Sequence, residues 1–224
     1  MIVPHAVLGL LPFGALLMGS DEAPLSARFA IRYVPSLAVL AAAERRPPRR
    51  QGLSRSLIVS NPVLSQFPAL TALPGAEREG RWLAGRLHGR VLAGAEATEG
   101  AVRARLNAAP VVHLATHGFA YATESRARES YVAFAPSEGR DGLLTVGELL
   151  DDPQLRLSAE LVVLSACQTG LGDLKQAEGT VGLQRAFLAR GARSVLVSLW
   201  SVSDAATALL MEQFYTHWLG DTDR

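Results

Sequence analysis

Apolar residues in this chain fall into two kinds of run. Residues 56–60, 111–115, 161–165 and 194–199 form short blocks that are apolar on both faces and rich in Val, Ile and Leu, as strands covered by helices on both sides must be. Between them, apolar side chains recur at helical spacing. Residues 75–87 carry Trp82, Leu83 and Leu87, and Thr98 is placed to cap a helix running to Asn107. A third helix is predicted over 178–190, stopped by Gly191, and a fourth over 203–219, with Leu210, Met211, Phe214, Tyr215 and Trp218 as a core stripe. Weaker strand signals lie at 2–3, 31–34, 91–92 and 131–134. Strands alternating with helices predict an α/β fold with a mostly parallel sheet.

Two segments interrupt this pattern. The uncharged, Leu-rich residues 1–19 are broken by Pro4, Gly9, Pro12 and Gly14, too often for a spanning helix, and no basic residue precedes the apolar run as in a secretory signal. They are expected to form a buried hairpin or strand entering the core. Arg45, Arg46, Pro47, Pro48, Arg49 and Arg50 open an exposed linker over 45–55. With 22 basic against 21 acidic residues, the chain has no charge excess suited to a nucleic-acid backbone. The single cysteine excludes an internal disulfide and every multi-cysteine metal scheme. The expectations are a cytoplasmic protein with no membrane contact, no direct nucleic-acid partner and no cofactor.

Two of the strands end in reactive residue types. Residues 111–115 run into Thr116-His117-Gly118, and residues 161–165 run into Ala166-Cys167-Gln168-Thr169-Gly170. Ligands of open α/β sheets bind beyond the carboxyl ends of the strands, so His117 and Cys167 are expected at one edge. A cysteine attacks as the thiolate, which a nearby imidazole supplies near neutral pH. The N–H groups of Gly118 and Cys167 are placed to donate to an oxyanion, while Gly170 and Gly172 let the chain turn away. The 50-residue separation of His117 from Cys167 matches that of the caspase pair. Leu114 stands where a zinc peptidase helix needs glutamate, so His113 and His117 are not read as metal ligands. His5, His88 and His217 are taken as structural or exposed.

The segments His113-Leu114-Ala115-Thr116-His117-Gly118 and Leu164-Ser165-Ala166-Cys167-Gln168-Thr169-Gly170 resemble those of a CHAT domain, a bacterial branch of the caspase and separase clan of cysteine peptidases. The likeness continues through Glu178-Gly179, residues 185–195 and residues 198–204, and upstream through Leu11-Pro12-Phe13, residues 33–37, Asn61-Pro62, residues 73–76 and Asp141-Gly142. It covers residues 1–224. The resemblance implies a caspase-like three-layer α/β/α sandwich and a cysteine endopeptidase that works through a thioester acyl-enzyme. It makes His117 the general base, Cys167 the nucleophile and Gly118 and Cys167 the oxyanion donors. The stretch from Trp200 resembles the separase segment whose aspartate receives a basic substrate residue, which gives Asp204 a substrate-binding role. Family members commonly continue beyond the last helix and carry helical repeats, so the domain is expected to lack its C-terminal segment and to work with a regulatory partner or helical-repeat domain. The loops 119–130 and 171–177 are expected to order around a protein or peptide substrate or a partner. The alternative is a catalytically silent CHAT-fold module for interaction or signalling.

Overall fold

The computed structural model describes residues 1–4, 8–9, 11–19, 22–46, 52–121, 123–165, 176–198 and 202–220. The chain divides into two compact units, Met1–Pro47 and Pro48–Arg224. In the first, Leu17–Met18 pairs antiparallel with Ala23–Pro24, Ile2 bridges Tyr33, and a helix spans Leu37–Glu44. Ser36 caps that helix by accepting from the Val39 amide. Leu17 and Met18 are exposed, which corrects the expectation of a buried hairpin or strand here: a two-residue ladder has too little length to bury a face.

The second unit runs β1 (Leu57–Pro62), α1 (Pro74–Leu87), β2 (Arg90–Gly94), α2 (Glu99–Leu106), β3 (Val111–Ala115), β4 (Gly118–Phe119), β5 (Tyr131–Ala133), β6 (Leu143–Thr145), α3 (Val146–Asp151), β7 (Leu161–Leu164), α4 (Gln176–Ala189), β8 (Val195–Val197) and α5 (Asp204–Gly220). Five strands form a parallel sheet in the order β8-β7-β3-β1-β2, and β4-β5-β6 form a small antiparallel sheet.

Strand periodicity sorts the core into two layers. Leu57, Val59, Val112, Leu114, Val162 and Leu164 pack in one buried cluster with Val102 and Leu106 of α2, Leu149 of α3 and Leu183 and Phe187 of α4. The alternate residues Ile58, Val111, Leu161 and Val163 face Leu83 and Leu87 of α1 and Met211 and Tyr215 of α5. The result is a mostly parallel sheet with helices on both faces, consistent with a caspase-like sandwich.

Most local signals act as expected. Thr98 caps α2 by accepting from the Ala101 amide, and Gly191 follows α4 at φ 109°. The stripe on α5 needs one correction: Leu210 is 62% exposed, while Thr207, Ala208, Met211 and Tyr215 are buried. A stripe 100° wide admits neighbours of Met211 at three- and four-residue steps, and Leu210 falls outside it. The short helix α3 went unread because its apolar run is too brief to show a period, although Thr145 and Glu148 form a full capping box at its start.

Gly142, before β6, has φ 83°, and a Cβ there would lie 2.4 Å from the Phe134 carbonyl oxygen. Gly142→Val is therefore expected to cost about 2–4 kcal/mol, from the left-handed backbone and the forced displacement of the chain just after β5 together. A thermal midpoint within a degree or two of wild type would show that this turn is slack.

Candidate functional site

Parallel pairing makes β3 and β7 hydrogen-bonded neighbours, with Leu114 opposite Leu164 and the Ser165 amide donating to the Leu114 carbonyl. The chain segments leading to His117 and toward position 167 thus leave adjacent strands at the same edge. Cys167 lies outside the described residues, as do Gly170 and Gly172, so the geometry of the site is that of the histidine side.

His117 is buried, 2% exposed. Its Nε2 lies 2.7 Å from the Thr71 carbonyl oxygen, which can only accept, so the ring carries its proton on Nε2 there. Nδ1 is buried and has no hydrogen-bond partner among the described residues. In this tautomer Nδ1 presents a lone pair, the form a general base requires. The Ala133 amide donates to the His117 carbonyl. That pairing makes Gly118 and Val132 a non-hydrogen-bonded pair, so the Gly118 N–H turns away from β5. Next to it, the Thr116 hydroxyl donates to the Ala133 carbonyl at 2.7 Å.

Thr71 belongs to the strap between β1 and α1. Two side-chain acceptors tie it and the helix start that follows. The Leu73 amide donates to Asn61 Oδ1 at 2.8 Å, with Asn61 in the left-handed region at φ 44°. The Gly75 and Ala76 amides donate to the two Asp204 oxygens at 2.5 and 2.9 Å. Asp204 thus caps the start of α1, whose own preceding residue, Leu73, has no capping side chain. A Cβ at position 75 would lie 2.6 Å from the Asp204 carboxylate, which is why glycine stands there.

Beneath this edge runs a buried polar chain that the sequence reading missed. Glu79 of α1, His113 of β3, Ser165 after β7 and Tyr215 of α5 are each at most 2% exposed. The Ser165 hydroxyl donates to Glu79 Oε1 at 2.5 Å, and His113 Nδ1 lies 3.1 Å from the Tyr215 hydroxyl. His113 Nε2 is 2.7 Å from Glu79 Oε1, in contact but off the axis of a well-aligned hydrogen bond. Burial first, then the Glu79 charge, push the Tyr215 phenol well above its ordinary range. It therefore stays protonated and donates to Nδ1, leaving Nε2–H toward the carboxylate. Signals for this chain were present: Glu79 stands on the same stripe as Leu83 and Leu87, and His113 interrupts an apolar strand. Elsewhere, His88 and His217 are exposed and His5 lies outside the described residues.

Near Gly118, Phe119 stacks on Tyr131 and meets Tyr121 edge-on, and the Arg126 guanidinium lies 3.7 Å above the Tyr121 ring. The connection expected as a polar loop contains the 3-10 turn Glu124–Glu129. Among the described residues no three His, Cys, Asp or Glu side chains are grouped to hold a metal ion, and no helix is long and apolar enough to cross a membrane.

The model of the CHAT domain matches residues 1–224. The chain belongs to the CHAT-domain family. It is also 29% identical over 260 aligned positions to tetratricopeptide repeat protein 28 of Homo sapiens, and 31% identical over 262 to that of Mus musculus. Each alignment covers 98% of this chain and 10% of the relative, so this CHAT domain spans about a tenth of the length of the curated relatives it matches.

Proposed function

We propose that this CHAT domain works as an interaction or signalling module beside a helical-repeat partner. The observation that supports this reading is the extent of the likeness: nearly all of this chain corresponds to a tenth of proteins named for tetratricopeptide repeats. Family and fold are all that such a role requires.

A second reading adds chemistry, and the state of His117 favours it. Its proton is held on Nε2 by Thr71 and its Nδ1 is unpartnered among the described residues, the arrangement of a poised base. On this reading the module is a cytoplasmic cysteine endopeptidase. His117 takes the proton of the Cys167 thiol as its sulfur attacks a peptide carbonyl, and the Gly118 and Cys167 amides receive the oxyanion. The protonated imidazole then delivers that proton to the leaving amine, and water hydrolyses the thioester.

Labelling with acyloxymethyl ketones carrying Arg, Asp or Leu separates the two, because Cys167 is the single thiol of the chain. The peptidase reading expects fast labelling that prefers one side chain, is lost in Cys167→Ala and falls by about 10²-fold or more in His117→Ala. The module reading expects slow labelling, indifferent to the ketone's side chain and to His117, with binding to a repeat partner undiminished in Cys167→Ala.

A further inference from the structure

We propose that Asn61 and Asp204 are positioning residues that act through residues 71–76, the end of the strap and the first residues of α1, to fix the tautomer of His117. The inference uses the second reading above for its catalytic consequence, but its physical content concerns the imidazole alone.

The contact that sets the ring is a main-chain carbonyl, that of Thr71, so its placement depends on what holds that backbone. Two residues beyond Thr71, the Leu73 amide is tied to Asn61 Oδ1. Gly75 and Ala76 follow, tied to both oxygens of Asp204. These anchors come from distant parts of the unit, the end of β1 and the start of α5. Asp204 is the first residue of α5, where a carboxylate is also favoured by that helix's own N-terminus. It therefore joins the starts of two helices. Ser60, adjacent to Asn61, adds a third tie by donating from its hydroxyl to the Ala76 carbonyl at 3.0 Å. Both carboxylate oxygens of Asp204 already accept backbone amides. A structural cap that reaches the base through the segment 71–76 accounts for this geometry without a substrate.

Without the strap, Nε2–H loses its acceptor and the neutral ring relaxes toward the mixture of tautomers that free imidazole adopts. Nδ1 is then protonated in part of the population, and that fraction cannot act as a base. The loss of one such hydrogen bond corresponds to about a fivefold to tenfold change in the tautomer ratio.

Long-range proton–nitrogen spectra of the 15N-labelled full chain test this, with His117 assigned from His117→Gln and the pH held well above the ordinary imidazole range. Wild type is expected to show the Nε2–H form. Asn61→Ala and Asp204→Ala are expected to lower the ratio of Nε2–H to Nδ1–H fivefold or more. Asn61→Asp keeps its acceptor oxygen and is expected to retain most of it, Asp204→Asn keeps one of two acceptors and is expected to fall between wild type and Asp204→Ala, and circular dichroism confirms that all four variants are folded. A wild-type ratio in both alanine variants overturns the proposal, as does a conservative pair that fails as fully as the alanines. If Asp204 instead receives a basic substrate residue, Asp204→Ala changes the ketone preference while the ratio stays put, which also overturns it. Intact strap dependence with labelling indifferent to His117 overturns the peptidase reading and leaves the strap proposal standing.

Discussion

Glu79→Leu is expected to remove about 3–5 kcal/mol of folding stability, a large part of the 5–15 kcal/mol typical of a domain. The carboxylate accepts the Ser165 hydroxyl at 2.5 Å and faces His113 Nε2 at 2.7 Å, all at most 2% exposed. Leucine fills similar volume but takes the facing carboxylate from a buried imidazole N–H and leaves a buried hydroxyl with nowhere to donate. Each orphan costs about 1–3 kcal/mol. Replacing the whole chain, as Glu79→Leu with His113→Leu, Ser165→Ala and Tyr215→Phe, is expected to recover most of the loss, because an apolar contact of the same shape needs no partners. Urea denaturation measures both. A single-variant loss below about 1 kcal/mol, or a quadruple variant no better than Glu79→Leu, shows that water reaches this chain or that the residues are not coupled.

On the peptidase reading, His117→Gln is expected to slow acylation sharply while leaving the nucleophile in place. Its amide can still donate to the Thr71 carbonyl, so the strap contact survives, but an amide is no base near neutral pH. Base catalysis is worth about 10²–10⁴-fold, and a loss in that range is expected in the rate of Cys167 acylation, with little change in thermal midpoint. Because Cys167 is the single thiol, mass spectrometry of the intact chain reads acylation directly. A rate within threefold of wild type would show that the thiol needs no help from His117 and would return the domain to the interaction-module reading.

The strands of the parallel sheet were legible because both faces are buried. Blocks such as 111–115 and 161–165 need no partner to declare themselves, and their ends gave His117 and the route to Cys167. Helix α2 was legible from its cap, which is a local signal. The exposed hairpin at Leu17–Met18 and the outward Leu210 were misread for one reason. Hydropathy reports what a residue would gain by burial, and geometry decides whether there is anything to bury against.

What the sequence by itself determined is local: the alternation of strands and helices, the glycine stops, the caps, the reactive types after two strands, and membership of the CHAT family through an ordered series of motifs. Tertiary structure decided every relation between distant residues. The strand order that seats β3 beside β7 is a choice among parallel registers that no single strand encodes. The acceptor for His117 is a backbone carbonyl, which every residue possesses, so nothing in the identity of Thr71 announces it. Asp204 reads equally well as a substrate ligand or a helix acid, and it is the approach of Gly75 that turns its two oxygens to a neighbouring helix. Glu79, His113, Ser165 and Tyr215 each look misplaced alone. Folding makes them partners, because buried polar groups are tolerated only where the chain brings another within reach.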